Sequence, residues 1–127
     1  MENSIKIMKQ RHPTRARRFE ASYKTWVKLF GTGFHSQKLF STVDISATGV
    51  ALKSEQGIIY YNDSSILEVN IADFYVDFLA KFVRKEERDG VSYLFVRVID
   101  RDENPNYCEF VSTLAVQNSE LEYPDAA

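Results

Sequence analysis

Two arginines four residues apart, in Arg11-His12-Pro13-Thr14-Arg15, and the later run Asp44-Ile45-Ser46-Ala47-Thr48-Gly49 are the groups in this chain best suited to holding an anion. A guanidinium is a flat fork of donors that grips a phosphate, or the O6/N7 edge of guanine, through two parallel hydrogen bonds. In the second run Asp44 accepts from N–H groups and Ser46 both donates and accepts, while Gly49 takes a positive φ or lets a ligand approach the backbone. The two together are a cradle for a guanine nucleotide. Each alone has a plainer reading. Arg17 and Arg18 crowd the same arm, and an Asp-x-Ser run is also how a side chain caps a turn, with Gly49 serving backbone geometry only.

The elements that must carry these groups follow from periodicity. Tyr23, Thr25, Val27 and Leu29 alternate with Lys24, Trp26 and Lys28, which predicts a half-buried strand over 21–30, turned by Gly31-Thr32-Gly33. A second strand over 38–44 delivers Asp44 to its end, and the Asp-x-Ser turn joins it to a third near 50–53. Asn62-Asp63-Ser64-Ser65 is a turn signal, and a fourth strand covers 66–71 with Leu67, Val69 and Ile71 on one face. A fifth, 74–84, breaks at the charged Glu86-Glu87-Arg88, read as part of a solvated turn. Asp89-Gly90 makes the hairpin to a sixth over 91–99. Asn104 as N-cap and Pro105 at the first position start a helix with Tyr107, Phe110, Val111 and Leu114 on one stripe. Six short antiparallel strands and one capping helix predict an all-β fold, a small antiparallel β-barrel with a C-terminal α-helix, since closure removes unpaired edges.

An Arg-x-x-x-Arg arm, a pair of strands and then Asp-x-Ser-x-x-Gly resemble the PilZ domain family, over roughly residues 8 to 118. The resemblance implies the same six-stranded barrel with a C-terminal helix, and a ligand, cyclic di-GMP, rather than a cofactor. It implies that Arg11 and Arg15 clamp phosphate and guanine groups, with Asp44, Ser46 and Gly49 forming the opposing wall. Arg17 and Arg18 are candidates for further contacts, one beside the ligand and the other paired with an acidic residue. Gln10, just ahead of the motif, bears on whether one ligand molecule or a stacked pair binds. The division expected is a basic arm over 1–20, the barrel and helix over 21–118, and an acidic mobile tail over 119–127. The implied role is a receptor and adaptor in bacterial motility, biofilm or surface-appendage control, whose arm orders over the ligand and signals to a protein partner.

Composition bounds this reading. The 127 residues make one compact domain, and 44% apolar content with nine Phe and seven Tyr suffices for its core. Up to Phe30, eight cations face two carboxylates, a net of +6, which leaves −8 on the remainder of a chain whose total is −2. A basic arm on an acidic body attracts anions locally. The single Cys108 permits no internal disulfide and suits a reducing, cytoplasmic setting, and no apolar run suggests membrane insertion. Cys108 itself reads as a small buried hydrophobe. His12 and His35 are too few for a metal cluster, and no Gly-rich phosphate loop, zinc helix motif or nucleophile elbow is present, so an enzyme is not expected. Trp26 and Tyr60-Tyr61 read as strand packing rather than base stacking. Two competing functions stand beside the receptor: a ligand-independent PilZ-like interaction module, and a small nucleic-acid binder, which the acidic barrel disfavours.

Overall fold

The computed structural model describes residues 17–55, 57, 59, 61–100 and 104–126, with side chains to 117. Arg11, Arg15 and Gln10, and Tyr60, therefore lie outside the described residues. Seven strands run β1 (Phe19–Glu20), β2 (Lys24–Leu29), β3 (Lys38–Ile45), β4 (Gly49–Ser54), β5 (Ile66–Ile71), β6 (Val76–Arg88) and β7 (Val91–Val98), followed by helix α1 (Pro105–Ala126). Every pairing is antiparallel: β2–β3, β3–β4, β4–β7, β7–β6, β6–β5 and β5–β2 close six strands into a barrel. The two-residue β1 lies outside that ring, on the same side of β3 as β2, with Glu20 opposite Asp44.

Alternation accounts for the barrel interior. Val27, Phe40, Leu52, Leu67, Val69, Ile71, Phe78, Ala80, Leu94 and Val96 are buried together, and Thr25 joins them by donating its hydroxyl to the Tyr23 carbonyl. At the hairpin Asp89 and Gly90 both take positive φ, 52° and 81°, the twist a two-residue β-turn needs. The helix stripe Tyr107, Phe110, Val111 and Leu114 is buried against the core as its spacing requires. Burying side chains of this size accounts for about 1.5–3 kcal/mol each relative to exposure.

Two phase resets matter for the site. In β3, Thr42 faces the interior and pairs with Leu52, so regular alternation would send Asp44 inward too. A bulge at Val43 intervenes, after which Asp44 pairs with outward-facing Ala51 and Ile45 fills the core. Thr42 marks the spot by accepting from the Tyr23 N–H at 2.8 Å and donating to the Ala21 carbonyl. In β6 the same happens at Val83: Phe82 points inward opposite Val96, and Arg84 is then turned outward opposite Phe95.

Several expectations shift. The first strand begins at Lys24 rather than 21, and Phe19–Glu20, read as arm, are a strand whose Phe19 is buried. Phe74 belongs to a 3-10 turn, Ala72–Phe74, capped by Tyr75 at φ 55°, not to the fifth strand. That strand instead runs on through Glu86 and Glu87 to Arg88, paired across to Tyr93, Ser92 and Val91, with Arg84 and Arg88 neutralising Glu86 at 2.7 and 2.5 Å. The helix continues past 118 to Ala126, and Cys108 is only half-buried on it.

Candidate functional site

Asp44, Ser46 and Gly49 come together at one end of the barrel, where β3 turns into β4. Ser46 is buried and spends its side chain on the turn. Its Oγ accepts from the Thr48 and Gly49 N–H groups at 3.3 and 3.2 Å, and its own N–H donates to the Gly49 carbonyl at 2.9 Å. The helix completes this arrangement. The Tyr107 hydroxyl, fully buried, donates to the Ser46 carbonyl at 2.5 Å and lies 3.2 Å from that of Gly49. Its pKa is raised well above the usual tyrosine value by burial, so it stays a donor.

Gly49 is required by a neighbour rather than by its own φ. A Cβ built there would lie 2.4 Å from the Val96 carbonyl oxygen, backbone that cannot step aside. Of the two reasons sequence offered for this glycine, positive φ does not apply, and the close approach is made by strand β7.

Asp44 has the opposite character. Turned out by the bulge, its side chain keeps 23% of its exposure and meets the Arg18 guanidinium at 3.7 Å. Sequence leaves open which of Arg17 and Arg18 pairs with an acidic residue; it is Arg18 that does so with Asp44, and pairing of β1 with the end of β3 puts it there. Arg17 sits over the Phe19 ring, 5.1 Å from its centroid.

Asp44, Ser46 and Gly49 share a cleft of about 340 Å³ with Arg18, Thr48, Val83, Arg84, Phe95 and Arg97. Its floor is low because Ala51 offers only a methyl between Asp44 on one side and Phe95 on the other. Arg84 and Arg97 carry no motif signal, because they reach the cleft only through cross-strand pairing. Three arginines and one carboxylate around a shallow depression can bind phosphate oxygens and the N–H edge of a base at once. Trp26 lies elsewhere, on a separate depression with Phe34, Asn70 and Asp77, and Tyr61 is buried with its hydroxyl donating to the Val27 carbonyl. No group of three or more His, Cys, Asp or Glu side chains suited to a metal occurs among the described residues. Nor is any of their helices long and apolar enough to cross a membrane.

The architecture is thus a six-stranded barrel with a helix locked onto the β3–β4 turn and an arginine-lined cleft beside it. No family model matches the sequence, and no curated protein matches it. Solved structures do. The PilZ domain of YcgR from Escherichia coli, with c-di-GMP, superposes with a TM-score of 0.56 at 19% identity, over 84% of this chain and 96% of that one. The PilZ domain of CeSA from a cellulose-synthesizing bacterium gives 0.58 at 15% identity, over 79% and 99%. The MrkH–c-di-GMP complex of K. pneumonia gives 0.56 at 16%, with this chain spanning 84% of itself and 54% of that protein. The chain therefore has the PilZ-domain fold.

Proposed function

We propose that the protein is a cytoplasmic receptor for cyclic di-GMP that passes ligand binding to a protein partner, in control of bacterial motility, biofilm or surface appendages. The observation that carries this reading is the convergence of Asp44, Arg18, Arg84 and Arg97 on one cleft beside the Ser46–Gly49 turn. Structures sharing the fold include YcgR and MrkH bound to c-di-GMP. Cyclic di-GMP offers two phosphates and two guanines, which suits forked cations set around an acceptor. In this reading Arg11 and Arg15 close over the ligand from the arm, with Gln10 and Arg17 as neighbours. Asp44 exchanges Arg18 for a guanine N–H edge. Ser46 and Gly49 serve by holding the turn that presents Asp44. The role is recognition rather than catalysis.

Calorimetric titration with cyclic di-GMP, GTP and a single-stranded oligonucleotide tests this, on the parent, Arg15→Ala and Asp44→Ala. The expected result is binding of the cyclic dinucleotide in preference to the others, weakened about tenfold or more in each variant. A parent chain indifferent to cyclic di-GMP leaves the fold and removes the function. Tighter, salt-sensitive binding of the oligonucleotide would replace it with nucleic-acid binding.

A further inference from the structure

The wall of the cleft formed by β6 and β7 is built with more care than a solvated surface requires. Arg84 lies 4.0 Å from the centroid of the Phe95 ring, so one face of its guanidinium is covered by an aromatic. Its Nε donates to Glu86 Oε2 at 2.7 Å, which fixes the in-plane orientation. Glu86 in turn accepts from Arg88 at 2.5 Å, so the carboxylate is itself held. These two cations keep the Glu86 carboxyl below its usual pKa, and it stays charged. About half of the Arg84 side chain remains exposed, and it lines the cleft.

Arg97, on the neighbouring strand, borders the same depression and is exposed. Among the described residues no carboxylate forms an ion pair with it. An exposed arginine over a phenylalanine is by itself ordinary. Here it comes with a bulge that turns Arg84 outward and a second bulge that turns Asp44 onto the same depression. Bulges that re-aim side chains concentrate next to functional sites.

We propose that Arg84, held over the Phe95 ring, is a stacking platform for one guanine of the cyclic dinucleotide, and that Arg97 takes the adjacent phosphate. This rests on the function proposed above and adds two contacts that neither sequence motif contains. A purine stacks on the open face of the guanidinium, completing a base–arginine–phenylalanine sandwich. Arg97 supplies a fork to a phosphate oxygen within reach of the same ring. Asp44, across the Ala51 floor, is left for the other base.

The test is calorimetry on the full chain with cyclic di-GMP, comparing the parent with Arg84→Ala, Arg97→Ala, Arg97→Lys, Asp44→Ala and, away from the cleft, Lys28→Ala. Loss of a stacked base or a charge-assisted phosphate contact should weaken binding about tenfold or more in each of the first two, with melting temperatures near the parent's. Arg97→Lys, which keeps the charge and loses the fork, should fall between Arg97→Ala and the parent. Lys28→Ala should bind as the parent does. If Asp44→Ala weakens binding while Arg84→Ala and Arg97→Ala stay within about twofold of the parent, the platform is wrong and the receptor reading stands. If the parent itself does not bind, both fall.

Discussion

Replacing Gly49 with alanine adds one carbon that, on the present backbone, lies 2.4 Å from the Val96 carbonyl oxygen and 3.4 Å from the Arg97 Cα. Ordinary contacts begin near the second of these distances, so β4 and β7 must separate locally by about 1 Å. The barrel resists this, because β4 is paired on both sides and the Val98 N–H is already bonded to the Thr48 carbonyl at 2.8 Å. Overpacking that displaces backbone costs about 1–3 kcal/mol. For a domain of this size that is a fall in Tm of roughly 4–12 °C. The control is Gly33→Ala, where the new carbon meets only the exposed His35 ring at 3.0 and 3.1 Å and φ is −83°. A side chain can rotate away, so this variant should stay within about 0.5 kcal/mol of the parent. Urea and thermal unfolding of both variants, with cyclic di-GMP titration alongside, decide the matter. A Gly49→Ala protein as stable as the parent that nonetheless loses ligand would refute the reasoning, because the glycine would then serve the ligand and not the neighbouring strand.

Tyr107→Phe removes the donor to the Ser46 carbonyl and should lower unfolding stability by about 1–3 kcal/mol in urea titration; a value near zero would mean the contact carries no energy. Arg18→Ala breaks an ion pair whose arginine is 70% exposed, so stability should change by less than about 1 kcal/mol, and a larger loss would show that the pair holds β1 in place. Alkali should destabilise the fold. Burial pushes the Tyr61 hydroxyl up to about 12 and that of Tyr107 further, whereas tyrosines in the unfolded chain ionise near 10. Between those values the unfolded state binds fewer protons, so stability present in full below about pH 10 is lost as pH climbs toward 12. Chemical denaturation at stepped pH should show a decline starting near pH 10 that is shallower in Tyr61→Phe, and an identical decline in that variant would assign it elsewhere.

What could be read from the chain was local. The β5 strand, the Asp89-Gly90 hairpin and the Tyr107–Leu114 stripe each follow from a few adjacent residues, and each is where periodicity placed it. The six-strand closure followed from their number and length. Orientation within the site did not. A period of two puts Thr42 and Asp44 on one face, and Phe82 and Arg84 on one face, and in both places an extra residue resets the phase. Arg84 and Arg97 carry no signal along the chain, since their nearness to Asp44 is created across strands and not along them. Glu86 reads as part of a charged turn along the chain, whereas its place in the strand comes from pairing across to Tyr93.

The bond from Tyr107 to Ser46 makes the helix and the β3–β4 turn parts of one mechanical body. Any occupant that tugs the turn does work against the root of α1, and the energy so transmitted has no preferred direction. In the receptor proposed above, a protein that grips the helix and shifts it would therefore alter cyclic di-GMP affinity by the factor with which the nucleotide alters its own grip. In that reading one hydroxyl couples the cleft and the helix in both directions.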